Sequence, residues 1–165
     1  MTNLAYLSIG SNINPYQNIR AALGFLAQQT IIMAVSSFWE TYPVGLTAQA
    51  NFLNGAAIVA TQFSALALKT EVLSVIETNL GRERQMDKNA PRTIDIDLVF
   101  YNQEQHQTGK LILPNPQVLD YAFVAVPLAE IAPNYSHPIT GQSLQTIASR
   151  FIADPTLISK QQIDL

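Results

Sequence analysis

The sequence predicts an α+β fold, a split βαβ sandwich with helices on one face of a sheet. Three observations predict it. Apolar runs of period two alternate with segments of helical period in the order βαββαβ as far as Tyr101. Charged residues make up only 13% of the 165 residues against 48% hydrophobic, enough apolar surface for a sizeable core. No repeat, low-complexity tract or linker interrupts the pattern, so residues 1–165 are expected to form one domain.

Leu4–Ile9 is a short apolar run closed by Gly10-Ser11-Asn12, which predicts a buried strand ending in a turn. Pro15 opens a helix whose Ile19, Ala22, Leu23 and Leu26 have amphipathic spacing. Ile31–Phe38 reads as a second strand running on toward Trp39, and Tyr42-Pro43-Val44-Gly45 breaks regularity as a loop. Phe52–Thr61 is a third strand with Phe52, Asn54, Ala56 and Ile58 on one face. Ser64 suits the N-cap of a long helix lined by Leu68, Val72, Val75, Ile76 and Leu80, and Gly81 suits its end. Residues 82–93 form a polar loop, and Ile94–Tyr101 returns to strand. After a hairpin-like stretch at Gln103–Gly109, two additional C-terminal helices are expected at Ala122–Ile131 and Ser143–Phe151.

The net charge of −3, with no basic stripe, argues against a nucleic-acid partner. The absence of cysteine excludes disulfides and thiolate metal sites. No run approaches the ~18 apolar residues that span a membrane. Met1-Thr2-Asn3 lacks a charged signal-peptide start, so a cytoplasmic location is expected.

In a chain so poor in charge, eight charged residues gather between Arg82 and Asp97: Arg82, Glu83, Arg84, Asp87, Lys88, Arg92, Asp95 and Asp97. A strand carrying Asp95-x-Asp97 points both carboxylates to one face, roughly 7 Å apart. Hard oxygen ligands at that separation suit magnesium, and the arginines suit a polyphosphate. A bare Asp-x-Asp is unspecific, but with Arg82, Arg84 and Pro91-Arg92 beside it the cluster reads as a phosphoryl-transfer site.

Phe52 and Asn54, an aromatic and an amide on one strand face, could stack on and hydrogen-bond a flat heterocycle, or simply be core. Glu77, one turn before Gly81, opposes the helix dipole, a placement found at functional sites and on ordinary surfaces alike. His106 and His137 have no partner at zinc-ligand spacing and read as surface residues. The phosphate-loop motif G-x-x-x-x-G-K-[ST] is absent, so a nucleotide would be held by side chains and metal.

Over nearly its whole length the chain resembles the hydroxymethyl-dihydropterin pyrophosphokinase family. The resemblance runs through Gly10-Ser11-Asn12, Ser36-Ser37-Phe38, Phe52-Leu53-Asn54-Gly55-Ala56, Glu77 and Gly81-Arg82-x-Arg84. It continues through Lys88-x-Ala90-Pro91-Arg92-x-x-Asp95-Ile96-Asp97-Leu98, Phe123-Val124 and Pro127–Pro133. It implies a ferredoxin-like sandwich that moves pyrophosphate from ATP to a pterin alcohol, with AMP leaving. It further implies that Asp95 and Asp97 bind two magnesium ions and that Arg82 and Arg92 act on the triphosphate. Arg84 and Glu77 would help hold the nucleotide or the assembled site. Phe52 and Phe123 would sandwich the pterin and Asn54 would read its edge, with further contacts from Thr41, Pro43 and Val44. The expected partners are those two small molecules, with no nucleic acid, no membrane and a monomeric chain.

The chain departs from the family pattern at four positions. Asn115 stands where His is usual, Tyr121 where Arg is usual, Asn89 where many members have Trp, and Ala90 where Gly is usual. Lys110 is the best candidate to replace the missing positive charge at the ATP site. Two other readings stay open, a weakened paralogue that senses pterin or nucleotide and a regulatory ligand-binding module.

Overall fold

β4 (Phe52–Thr61) is the strand on which the sheet is built. All of it except Phe52 and Ile58 is buried, so it must be flanked and covered on every side. In the computed structural model, which describes residues 1–164, β1 (Asn3–Ser11) pairs with one edge of β4. β2 (Ile31–Val35) and β3 (Phe38–Thr41) share the other edge. β5 (Asp95–Tyr101) adds to β1 and β8 (Leu157–Gln161) to β3, giving the order β5-β1-β4-β3-β8 with every pairing antiparallel. The fold is α+β, and the core topology follows the βαββαβ order with two differences.

The first difference is that the expected second strand is two strands. At Ser36 the ladder partner of the Ala56 N–H is the serine hydroxyl at 2.8 Å rather than a carbonyl. At Ser37 the backbone N–H turns away to the Glu130 carboxylate at 3.0 Å. The chain kinks there and buries Phe38 over Gly55, where an added Cβ would lie 2.6 Å from the ring. The second difference is β8, which carries no period-two apolar signal because it is half-exposed and polar. Pairing with β3 holds it, together with a Tyr42 N–H bond to the Thr156 carbonyl at 3.0 Å.

α1 (Pro15–Gln29) buries the expected Ile19, Ala22, Leu23 and Leu26 against one sheet face. The second helix starts as expected, with the Ser64 hydroxyl accepting from the Ala67 N–H. It then runs as α2 (Ala65–Ala67), a π-helical turn at Leu68–Leu73 and α3 (Ser74–Asn79). The π turn inserts one residue and rotates the apolar stripe. Leu73 is therefore fully buried, whereas Val75, expected on the buried side, is 46% exposed.

Helices cover both sheet faces, not one. A short hairpin, β6 (His106–Thr108) and β7 (Leu111–Leu113), leads through α4 (Gln117–Asp120) to the second face. There α5 (Ala122–Ile131) and α6 (Leu144–Ser149) pack Val124, Leu128, Leu144 and Ile147 on Tyr6, Ala56 and Phe100. His137, expected at the surface, is 2% exposed. Its Nδ1 accepts from the N–H groups of Ile139 and Thr140, so the imidazole closes the turn that precedes α6, and burial lowers its pKa. No helix among the described residues is long and apolar enough to cross a membrane.

Candidate active site

The cavity of about 330 Å³ at the end of β1, β4 and β5 is lined by two kinds of residue. On one side stand the charges of β5 and the preceding loop, Arg82, Lys88, Arg92, Asp95 and Asp97. On the other stand Thr41, Tyr42, Val44, Phe52, Asn54, Tyr121 and Phe123. Residues far apart in sequence meet here because β1 lies between β4 and β5, and the Gly10 register pairs it with both Asn54 and Asp95.

Asp95 and Asp97 face the cavity, as strand alternation requires, while Ile94, Ile96 and Leu98 are buried in the core on the opposite side. Neither acid is free. Asp95 accepts from Arg82 Nη1 at 2.7 Å through one oxygen and from Arg92 Nη1 at 2.6 Å through the other. Asp97 faces Lys69, whose Nζ lies 3.5 Å from Oδ1. Burial and then the neighbouring Asp95 charge push the Asp97 carboxyl up to about 6.

Glu77 is not at the cavity surface. It is 4% exposed, and its Oε1 accepts from the Ile96 N–H at 2.8 Å and from Arg82. Burial raises its pKa, opposed by the Ile96 N–H and Arg82. The carboxylate thus fixes α3 to the outer edge of β5 and holds Arg82 from behind. That is the site-assembling half of its expected role, without a direct opening onto the cavity.

The loops around the cavity are tied through two residues that sequence reasoning left without a role. Asn12 exchanges bonds with Arg92, its side chain accepting from the Arg92 N–H at 2.9 Å and its own N–H donating to the Arg92 carbonyl at 3.2 Å. The Asn12 amide also donates to Gln49 Oε1 at 2.8 Å, and Gln49 donates onward to the Asn89 carbonyl at 2.7 Å. Gly10-Ser11-Asn12 was visible as a strand-ending turn, but only the fold places it beside the arginine loop. Lys69 was missed for a similar reason, since it lies in a helix remote in sequence from the cluster.

On the apolar side, Asn54 is buried and donates to the Thr41 hydroxyl at 2.8 Å. Its Oδ1 lies where a Cβ on Gly10 would come within 2.3 Å. The Arg92 guanidinium lies 5.7 Å from the Phe52 ring centroid, and Tyr121 stacks on Phe123 at 5.2 Å and 24°. At two of the departures the structure supplies another use for the residue. Tyr121 extends the aromatic wall, and Asn115 closes the turn leading into α4, its side chain accepting from the Gln117 N–H at 3.0 Å. Of the other expected site residues, Pro43 does not line the cavity although its neighbours Tyr42 and Val44 do. Arg84 and Lys110 are exposed and outside the cavity lining, Lys110 in the β6–β7 turn. The added cation that does line it is Lys88.

The family model of 7,8-dihydro-6-hydroxymethylpterin-pyrophosphokinase matches residues 6–133, which contain every element of this cavity. This chain belongs to the hydroxymethylpterin pyrophosphokinase family. It is 40% identical over 134 residues to the 2-amino-4-hydroxy-6-hydroxymethyldihydropteridine pyrophosphokinase of Bacillus subtilis, covering 79% of each chain. The enzyme of that name from Haemophilus influenzae is 34% identical over 157 residues, covering 93% of this chain and 96% of its own. Folic acid synthesis protein FOL1 of Dictyostelium discoideum is 36% identical over 137 residues, and this chain spans 20% of it. Among solved structures, Plasmodium falciparum HPPK-DHPS superposes with a TM-score of 0.74 at 14% identity, covering 93% of this chain and 46% of that one. At that identity the superposition speaks for the fold alone, and it places this chain on just under half of the longer protein.

Among the described residues no group of three or more His, Cys, Asp or Glu side chains is placed to hold a metal ion. Two carboxylates facing a cavity suit magnesium, which keeps much of its shell as water and phosphate oxygen and takes one or two carboxylates from the protein. The residues present fit magnesium delivered with a polyphosphate.

Proposed function

We propose that this chain transfers pyrophosphate from ATP to the hydroxymethyl group of a dihydropterin in folate biosynthesis, releasing AMP. One observation carries the reading: an Asp/Arg cluster and an aromatic–amide pocket share one cavity, so a polyphosphate and a flat heterocycle can meet end to end. The affinity with characterised family members supports it.

Phe52 and Phe123 would hold the pterin ring between them, with Asn54 and the Thr41–Val44 segment reading its edge. Asn54 is pre-set for this by Thr41, which fixes the amide orientation and leaves the carbonyl oxygen toward Gly10. Asp95 and Asp97 would hold two magnesium ions, which when bound supply the positive charge that offsets the phosphates. Arg82 and Arg92 would then turn from Asp95 to the triphosphate, exchanging one set of charge-assisted bonds for another. Lys88, at the cavity, and the exposed Arg84 and Lys110 would add to nucleotide binding. The pterin hydroxyl oxygen attacks the β-phosphorus in line and gives up its proton to solvent, while the bond from that phosphorus to the α-phosphate's bridging oxygen breaks and AMP leaves. The protein contributes placement and charge, with no covalent intermediate. Neither histidine lines the cavity, so no imidazole serves as base.

The deciding measurement is AMP release from ATP and magnesium with and without hydroxymethyl-dihydropterin. Pterin-dependent AMP without ADP is expected, and ADP formation or pterin-independent AMP would overturn the reaction type. A second expectation concerns the pocket. Phe52→Ala should weaken pterin binding by about 1–2 kcal/mol in calorimetry while nucleotide binding stays near wild type. Equal losses for both ligands would instead make Phe52 part of the frame.

Gly10→Ala offers a subtler check, because its added methyl group would press on Asn54 at the edge of the pocket. The new methyl group would displace Oδ1 and break the Thr41 bond. Pterin affinity should fall roughly tenfold, the equivalent of one lost buried hydrogen bond. Pterin affinity equal to wild type would show that Asn54 does not read the ring.

A further inference from the structure

The π-helical turn at Leu68–Leu73 has a consequence for the site. The Ser74 N–H bonds the Lys69 carbonyl, five residues back, and the Ser74 hydroxyl donates to the same oxygen at 2.9 Å. In an uninterrupted α-helix, Lys69 and Glu77 would sit about 80° apart around the axis, given 3.6 residues per turn. One inserted residue brings them within about 20° of each other. Both then face β5, Glu77 on the Ile96 N–H and Lys69 on Asp97. The helix irregularity therefore delivers a cation to a carboxylate that a regular helix would leave to water.

The ion-paired groups then match, three carboxylates to three cations. Glu77, Asp95 and Asp97 are matched by Arg82, Arg92 and Lys69, each carboxylate in contact with at least one cation. The arginines are shared between Asp95 and Glu77, so Lys69 is the cation paired with Asp97 among the described residues. Its side chain keeps 30% of its surface in solvent, which leaves the ammonium group a way out when another cation arrives.

We propose that Lys69 is a tethered counter-cation, positioned by the π turn, that occupies Asp97 in the ligand-free protein and sets how tightly a divalent cation binds there. The proposal rests on the reading of Asp97 as a metal ligand. Lys69 is a positioning residue, acting on the metal through Asp97 alone. A divalent ion that reaches Asp97 must displace the ammonium group, and the strength of that ion pair is subtracted from the metal's affinity. A partly exposed pair of this kind changes an equilibrium by up to about fivefold.

The test is Mn²⁺ binding followed by electron paramagnetic resonance, with Mn²⁺ alone and with a non-hydrolysable ATP analogue. Lys69→Met should tighten Mn²⁺ about three- to fivefold in low salt, and the gain should shrink as salt screens the pair. Lys69→Gln should behave like the Met variant, and Lys69→Arg like wild type. A Met or Gln variant whose Mn²⁺ affinity is unchanged or weaker overturns the proposal, whatever happens to its melting temperature. Unchanged Mn²⁺ affinity with weaker metal-free binding of the analogue would make Lys69 a phosphate ligand instead. Wild-type protein that takes up no Mn²⁺ under either condition would overturn the metal reading itself, and this proposal with it.

Discussion

Asp95→Asn and Asp97→Asn should each lower turnover about a hundredfold or more and yet move the stability of the metal-free protein in opposite directions. Both variants lose a negative oxygen needed against magnesium and the phosphates. The difference lies in what each carboxylate meets in the fold. Asp95 accepts from two arginines through its two oxygens. An asparagine amide can satisfy one of them and presents its own N–H groups to the other, leaving a guanidinium against a donor. About 2–3 kcal/mol of stability should be lost.

Asp97 has the reverse environment. Burial and the Asp95 charge outweigh the help of Lys69, and its carboxyl rises from the ordinary 3.8 to about 6. The folded state therefore holds that proton more tightly than the unfolded chain does. Stability is lost as pH rises from about 4 to about 6, and at neutral pH the fold carries an ionised group it disfavours. Asp97→Asn should remove that cost and stabilise the metal-free protein at pH 7. The gain should be on the order of 1 kcal/mol, because the side chain is one-third exposed and solvent screens the interaction. It should fade toward pH 4, where the wild-type carboxyl is also neutral. Thermal melts of both variants across that range check the prediction. Similar destabilisation of both would overturn the contrast between the two environments, and an Asp97→Asn enzyme that keeps more than about a tenth of its turnover would sink the assignment of the pair as metal ligands.

The elements that could be read from the sequence are those with a strong period or a cap. α1 and α5 carry long apolar stripes, β4 is a sustained buried run, and Ser64 is an N-cap whose hydroxyl does accept in the structure. The elements that escaped owe their form to distant partners. The break at Ser36-Ser37 depends on Glu130 of α5, and β8 is a strand because β3 offers an edge. The π turn left no local signature, and it shows in the fold as the exchange of Val75 for Leu73 in the core and the turn of Lys69 toward Asp97.

The same distinction holds at the site. Asp95 and Asp97 could be placed on one face from alternation alone, since a strand has only two faces. Phe52 and Asn54 could be placed together in the same way, but nothing local tells which pair of strands will meet. Glu77 looked like an unfavourable charge at a helix end, and the reason it is tolerated lies across the sheet edge at Ile96. Lys69, Asn12 and Gln49 act through side-chain contacts made by loop and helix packing, so spacing along the chain carried no sign of them.

Glu77 gives the second large effect, and two substitutions separate its structural and catalytic contributions. In Glu77→Ala the Ile96 N–H and one face of Arg82 lose their acceptor inside a buried contact. Stability should fall by about 2–4 kcal/mol, as for a buried ion pair robbed of one partner. Glu77→Gln keeps an oxygen for the Ile96 N–H, and it removes a charge that burial already disfavours. Its melting temperature should stay close to wild type. Turnover should nevertheless drop about tenfold or more, because Arg82 is then anchored only through Asp95, the carboxylate it must leave to reach the phosphates. Pterin affinity should be unaffected in the Gln variant, since Glu77 lies outside the cavity lining. A folded Glu77→Gln protein with wild-type turnover would show that Arg82 needs no support from behind. A loss confined to nucleotide affinity, with turnover restored at saturating ATP, would instead make Glu77 a ligand of ATP.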